Sequence, residues 1–120
     1  MNKDHLMEKA HRIIEQTKHL VVIVEGINDK KIVEKLGYSK ILILNKPIFS
    51  IVEEIIAMNC KEILILTDLD RKGEELYKRL RHDLGLHGVV LNNKLRGILR
   101  KLGYTHIEGL DSFILALDKY

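Results

Sequence analysis

Ile63-Leu64-Ile65-Leu66-Thr67-Asp68-Leu69-Asp70-Arg71-Lys72-Gly73-Glu74 is an apolar run that ends in two aspartates and passes at once into a helical pattern. Its four aliphatic residues are continuous rather than alternating, as expected of a strand buried on both faces. Three further runs share this character: Leu20 to Val24, Ile41 to Leu44 and Val89 to Leu91. Stretches with helical spacing separate them. Asp4 to Lys18 places Leu6, Met7, Ala10, Ile13 and Ile14 on one stripe. Asn28 or Asp29 can cap a helix that runs to Leu36 and is ended by Gly37. Ile48 to Met58 forms a third helix. Arg71 to Leu84 forms a fourth, with Gly85 as its stop, and Lys94 to Leu102 a basic fifth ended by Gly103. An extended piece from Tyr104 to Ile107 and a helix from about Leu110 close the chain. The pattern predicts an α/β sandwich of three layers around a mostly parallel four-stranded sheet, as one domain over residues 1–120.

The bulk properties narrow the function classes. With 120 residues, 46% apolar and 31% charged, the chain suits one globular core. No apolar run approaches the ~20 residues needed to span a bilayer. The charged amino terminus lacks a signal-peptide apolar region. Cys60 is the only cysteine, which leaves no intrachain disulfide and no multi-cysteine zinc cluster. These features lead us to expect a cytoplasmic protein. Net charge is only +3, but Arg71 to Lys101 holds nine Lys or Arg against three acids. That stretch nets +6 and the remainder −3, so one half suits a polyanion such as nucleic acid.

In open α/β sheets, ligands collect at the carboxyl ends of strands. Asp68 and Asp70 follow the third apolar run, and Glu25 follows the first. Carboxylates at i, i+2 on extended chain point the same way. Such oxygens suit a hard divalent cation like Mg²⁺, which keeps positions open for phosphate oxygens. Asp70 can cap the Arg71 helix while also binding metal. Glu25 joins the pair in one site only if the first and third strands are neighbours. Gly26 permits a tight turn beside it.

Val24-Glu25-Gly26 on one strand, followed later by Thr67-Asp68-Leu69-Asp70-Arg71-Lys72-Gly73-Glu74, resembles the Toprim domain over roughly Leu20 to Ile107. That domain occurs in topoisomerases, bacterial-type primases, some recombination-repair proteins and small ribonucleases that mature ribosomal RNA. The resemblance implies a Rossmann-like fold in which Glu25, Asp68 and Asp70 form an acidic site for one or two Mg²⁺ ions, with Mn²⁺ as an alternative. It also implies that Glu25 is a general acid or base, and that Gly73 lets backbone approach phosphate. Gly26, Lys46, Arg71 and Lys72 are the further candidates for phosphate or nucleic-acid contact.

The expected activity is Mg²⁺-dependent phosphodiester chemistry on RNA or DNA, of nuclease type. The alternative is a non-catalytic module that binds nucleic acid through the basic Arg71–Lys101 region, so that charge reversal at Arg79 and Arg96 weakens binding, or that recruits a partner, either another protein or a second copy. The chain is expected to lack the extra domains of topoisomerases and primases and the RNA-binding region of the maturation nucleases. Tyr38, Tyr77, Tyr104 and Tyr120 have no context for a topoisomerase nucleophile. A receiver-like domain would carry its acidic pair after the first strand. A haloacid-type phosphatase would place Thr or Val where Lys72 stands.

Overall fold

The computed structural model describes residues 2–120. The helix α1 (Lys3–Thr17) precedes β1 (Val21–Val24), α2 (Ile27–Lys35), β2 (Lys40–Ile43), α3 (Ile48–Ala57) and β3 (Glu62–Ile65). There follow α4 (Arg71–Gly85), β4 (Val90–Leu91), α5 (Lys94–Lys101), a 3₁₀ turn at Ile107–Gly109 and α6 (Asp111–Leu117). The four strands form one sheet in the order β2-β1-β3-β4, and every pairing is parallel. The sheet is thus wholly parallel where the sequence suggested mostly parallel.

The continuous apolar runs are explained by what lies on each face. Val22, Val24, Leu64 and Leu66 point into a core shared with α1, α2, α5 and α6. Their neighbours Val21, Ile23, Ile63 and Ile65 point the other way, into a core with α3 and α4. Successive strand residues face opposite sides of a sheet, so a strand covered on both sides needs no polar position. The edge strand β2 is only half-buried.

The topology positions the site. The chain leaves β1 through α2 to β2 on one side, then crosses behind β1 through α3 to β3 on the other. The reversal places helices on opposite faces and opens a crevice at the carboxyl ends of β1 and β3. These two strands pair directly, with Val21 against Ile63 and Ile23 against Ile65. The adjacency on which Glu25 depends is therefore present.

Two helix boundaries differ from expectation. The helix α2 begins at Ile27 with Gly26 as its N-cap, two or three residues before the expected caps. Asp29 lies instead in its first turn and accepts a hydrogen bond from Gly26 N at 3.1 Å. The helix α4 runs through Gly85, and the chain turns at Gly88, whose φ of 76° suits a residue without Cβ. Gly37 ends α2 as expected, with φ 111°.

One polar link ties α1 to the loop before β2. Tyr38, 2% exposed, places its hydroxyl 2.8 Å from Thr17 Oγ1, which itself donates to Ile13 O. Removing one partner of a buried hydrogen bond costs about 1–3 kcal/mol. Tyr38→Phe should therefore lower the urea midpoint by that amount of stability without changing the denaturant slope. An unaltered midpoint would show that the link contributes nothing.

Candidate functional site

The end of β3 is shaped by a buried arginine. Arg96 is 4% exposed and reaches from α5 to the carboxyl end of β3. Its Nη1 donates to Thr67 O at 2.6 Å, and its Nη2 donates to Asp68 O at 2.9 Å and to Glu74 Oε1 at 2.7 Å. Thr67, fully buried, donates its hydroxyl to Gly73 O at 2.8 Å and closes the loop from strand to helix. Gly73 is required by this closure: a Cβ there would lie 1.9 Å from Asp68 O. The glycine thus makes room for its own loop, and its N–H is taken by Asp70 Oδ1 at 2.8 Å.

Each carboxylate at the strand ends is held by one backbone N–H. Asp68 N donates to Glu25 Oε2 at 2.7 Å, joining β1 to β3. Ile107 N donates to Asp68 Oδ1 at 2.8 Å. Gly73 N holds Asp70, which is the N-cap of α4 as its position suggested. These bonds fix the side chains and leave a second oxygen on each for a ligand.

Glu25 meets the backbone of Asp68, but the cluster that could hold a metal unites Asp68 and Asp70 with a residue the sequence did not single out and does not include Glu25. Asp68, Asp70 and His106 offer ligand atoms that all lie within 4.8 Å of one another. His106 Nε2 lies 3.3 Å from Asp70 Oδ2, and Nδ1 lies 2.9 Å from Thr105 Oγ1. A partner on one ring nitrogen is how a histidine presents the other to a metal. Thr105 O in turn accepts from Leu69 N at 2.8 Å, which moors the extended segment across the acidic loop. No metal-ligand spacing exposes His106 in the sequence, because tertiary pairing alone brings it to Asp70.

The candidate basic residues separate into groups. Lys46 and Lys72 line a cleft of about 220 Å³ with Glu25 and Leu44. Lys46 also pairs with Glu54. Arg71 is exposed beside Asp70 and lies 3.5 Å from Glu75. The N–H of Gly26, like that of Gly73, already serves a carboxylate of the loop. Arg96 is a buried clamp rather than an exposed nucleic-acid contact, which corrects the surface role expected for it.

The crevice is strongly negative. Asp29 is 7% exposed, and its carboxyl is pushed up to about 6 by burial and by Asp68, with Glu108 and Glu25 adding to the effect.

Residues 20–102 match the Toprim domain family. The chain belongs to that family. Toprim proteins are generally associated with nucleic acid, and their domains typically bind Mg²⁺. The chain is 34% identical over 123 aligned residues to a UPF0292 protein of Methanocaldococcus jannaschii, covering 95% of this chain and 96% of that one. It is 41% identical over 107 residues to a UPF0292 protein of Pyrococcus furiosus, covering 87% and 80%. A solved structure of a putative protein from Aquifex aeolicus superposes with a TM-score of 0.72 at 25% identity, covering 89% of this chain and 96% of that one. Among the described residues no helix is long and apolar enough to cross a membrane.

Two outcomes follow for the Toprim loop. Gly73→Ala should cost more than about 3 kcal/mol in chemical denaturation, since the clash is with backbone; a loss below about 1 kcal/mol would contradict the packing described. Asp29 binds its proton more tightly when folded than when unfolded, so its ionisation opposes folding. In chelator, the stability it contributes should fall as pH rises from about 4 through about 6. Asp29→Asn should flatten the thermal-stability profile over that window relative to the parent; identical profiles would remove Asp29 as the source.

Proposed function

We propose that this protein is a Mg²⁺-dependent phosphodiester enzyme of nuclease type acting on RNA or DNA. The supporting observation is that Asp68 and Asp70 lie together after β3 while Glu25, after the neighbouring parallel strand β1, accepts from Asp68 N, each carboxylate being fixed by a backbone N–H. The donor set fits the ion associated with the family. Asp68 and Asp70 supply hard oxygens, and His106 adds a nitrogen that also suits Mn²⁺. When bound, the cation neutralises a phosphodiester and polarises an oxygen upon it.

The remaining roles fall to the chain's own residues. Asp68 and Asp70 hold the ion, with His106 beside them. Glu25 uses one oxygen on Asp68 N and has the other for moving a proton as general acid or base. Lys46 and Lys72, which line the same cleft as Glu25, orient the substrate's phosphates, and the exposed Arg71 follows Asp70 in the chain and adds charge beside it.

Purified protein with Mg²⁺ or Mn²⁺ should cut single-stranded, duplex or structured nucleic acid. Glu25→Gln and Asp68→Asn should each lower the rate by at least about a hundredfold. Cleavage that persists in both variants, or no cleavage of any substrate by the parent protein, would sink this reading. His106→Ala should weaken Mn²⁺ binding in calorimetry by at least about tenfold; unchanged affinity would take His106 out of the donor set. The alternative, a non-catalytic nucleic-acid module, rests on the basic surface of α4 and α5 and expects salt-sensitive binding without turnover.

A further inference from the structure

The groove between α4 and α5 carries a charge that the acidic crevice does not use. It encloses about 260 Å³ and is lined by Lys78, Arg81, Arg96 and Arg100, with Glu74 and Tyr77 among its other walls. Glu74 is the only acid of that lining. It is already shared by Arg96 at 2.7 Å and Arg100 at 2.6 Å. Burial pushes its carboxyl up, but the two guanidinium groups outweigh this and hold it below the usual range. One carboxylate thus faces four cations, leaving a surplus of three.

Arg96 makes the surplus difficult to screen. Its guanidinium is buried, stacks 4.6 Å from the centre of the Tyr77 ring, and has an Nε with no hydrogen-bond partner. Arg81 lies 5.7 Å from the centre of the same ring. Both cations are held in place by the aromatic group. A fixed positive site with one wall open to solvent recruits an anion.

The placement identifies the anion. Along α4, Glu74, Lys78 and Arg81 lie four, eight and eleven residues beyond Asp70, so all fall on the face that begins at Asp70. At 1.5 Å per residue, Lys78 and Arg81 stand about 12 to 16 Å along the helix from that carboxylate. We propose that this groove holds backbone phosphate of the same nucleic-acid strand whose phosphodiester lies at Asp68 and Asp70, a few nucleotides away. The inference rests on the nucleic-acid reading of the acidic crevice but not on cleavage. Arg81, Lys78 and Arg100 contact the phosphate. Arg96 positions the groove from beneath.

The test separates the two. Binding of fluorescein-labelled single-stranded RNA and the matching DNA is followed by anisotropy in EDTA, where no metal-dependent cutting occurs, at stepped salt concentrations. The variant is Lys78→Glu/Arg81→Glu; both residues are exposed, and Arg100 is left in place because it holds Glu74. The control is Lys40→Glu/Lys61→Glu, the same charge change at the amino ends of β2 and β3, away from the crevice. The groove variant should bind at least about tenfold more weakly, and its slope of log affinity against log salt should fall by about 1.4, two single-strand phosphate contacts. The control should keep most of the parent slope. Lys78→Gln/Arg81→Gln, checked by circular dichroism, gives the same readout if the carboxylates disturb α4. Equal losses in groove variant and control, an unchanged slope, or no binding by the parent protein would overturn the groove. The expected loss would uphold it even if no strand is ever cut, and Asp68→Asn cleavage assays decide that question separately.

Discussion

Arg96 donates to the carbonyl oxygens of Thr67 and Asp68 and to Glu74, and the geometry of the site depends on that grip. A parallel strand that ends inside a protein leaves its last carbonyls without a ladder partner, and each orphan is costly. The guanidinium satisfies two of them at once with a planar fork that lysine lacks. It thereby orients the chain so that Asp68 N meets Glu25 and Asp70 caps α4. Losing one partner of a buried charged pair generally costs about 3–5 kcal/mol. The clamp is therefore a condition of the acidic loop and not an accessory to it.

The same constraint explains Gly73. Arg96 and Thr67 draw the first turn of α4 back onto the strand end until Gly73 touches Asp68 O. The glycine that the family pattern assigns to phosphate approach is accounted for here by the fold alone. Its N–H serves the Asp70 cap. Rigidity at this point is useful for a cation site, because carboxylates already fixed by backbone donors lose little freedom when a ligand arrives.

The strands were legible because their burial on both faces writes itself as unbroken aliphatic runs, and the acids were legible because they stand where those runs stop. What stayed hidden depends on contacts between distant segments. Arg96 counts as one more surface cation in a basic stretch; only its place beside Leu95 and Leu99 on the buried face of α5 hints otherwise. His106 lies in a short extended segment with no periodicity, and Leu69 and Ile107 backbone bonds bring it to the aspartates. The N-cap of α2 was misplaced because Asp29 is as good a cap by type as it is a first-turn partner of Gly26 N. The stop of α4 was misplaced because Gly85 is tolerated within the helix, while the positive φ falls at Gly88.

The electrostatics of the two halves are complementary rather than contradictory. Burial first, and then the negative charge of Asp68, Glu108 and Glu25, push the Asp29 carboxyl up to about 6. Such a field repels phosphate as strongly as it attracts cations. The arginines behind Asp70 and the lysines beside Glu25 supply attraction for a polyanion on either side. At the centre, a cation held by Asp68 and Asp70 would offset the charge that opposes a phosphodiester there. The groove between α4 and α5 is lined by neither aspartate, so its attraction for an anion does not depend on a cation at the acidic centre.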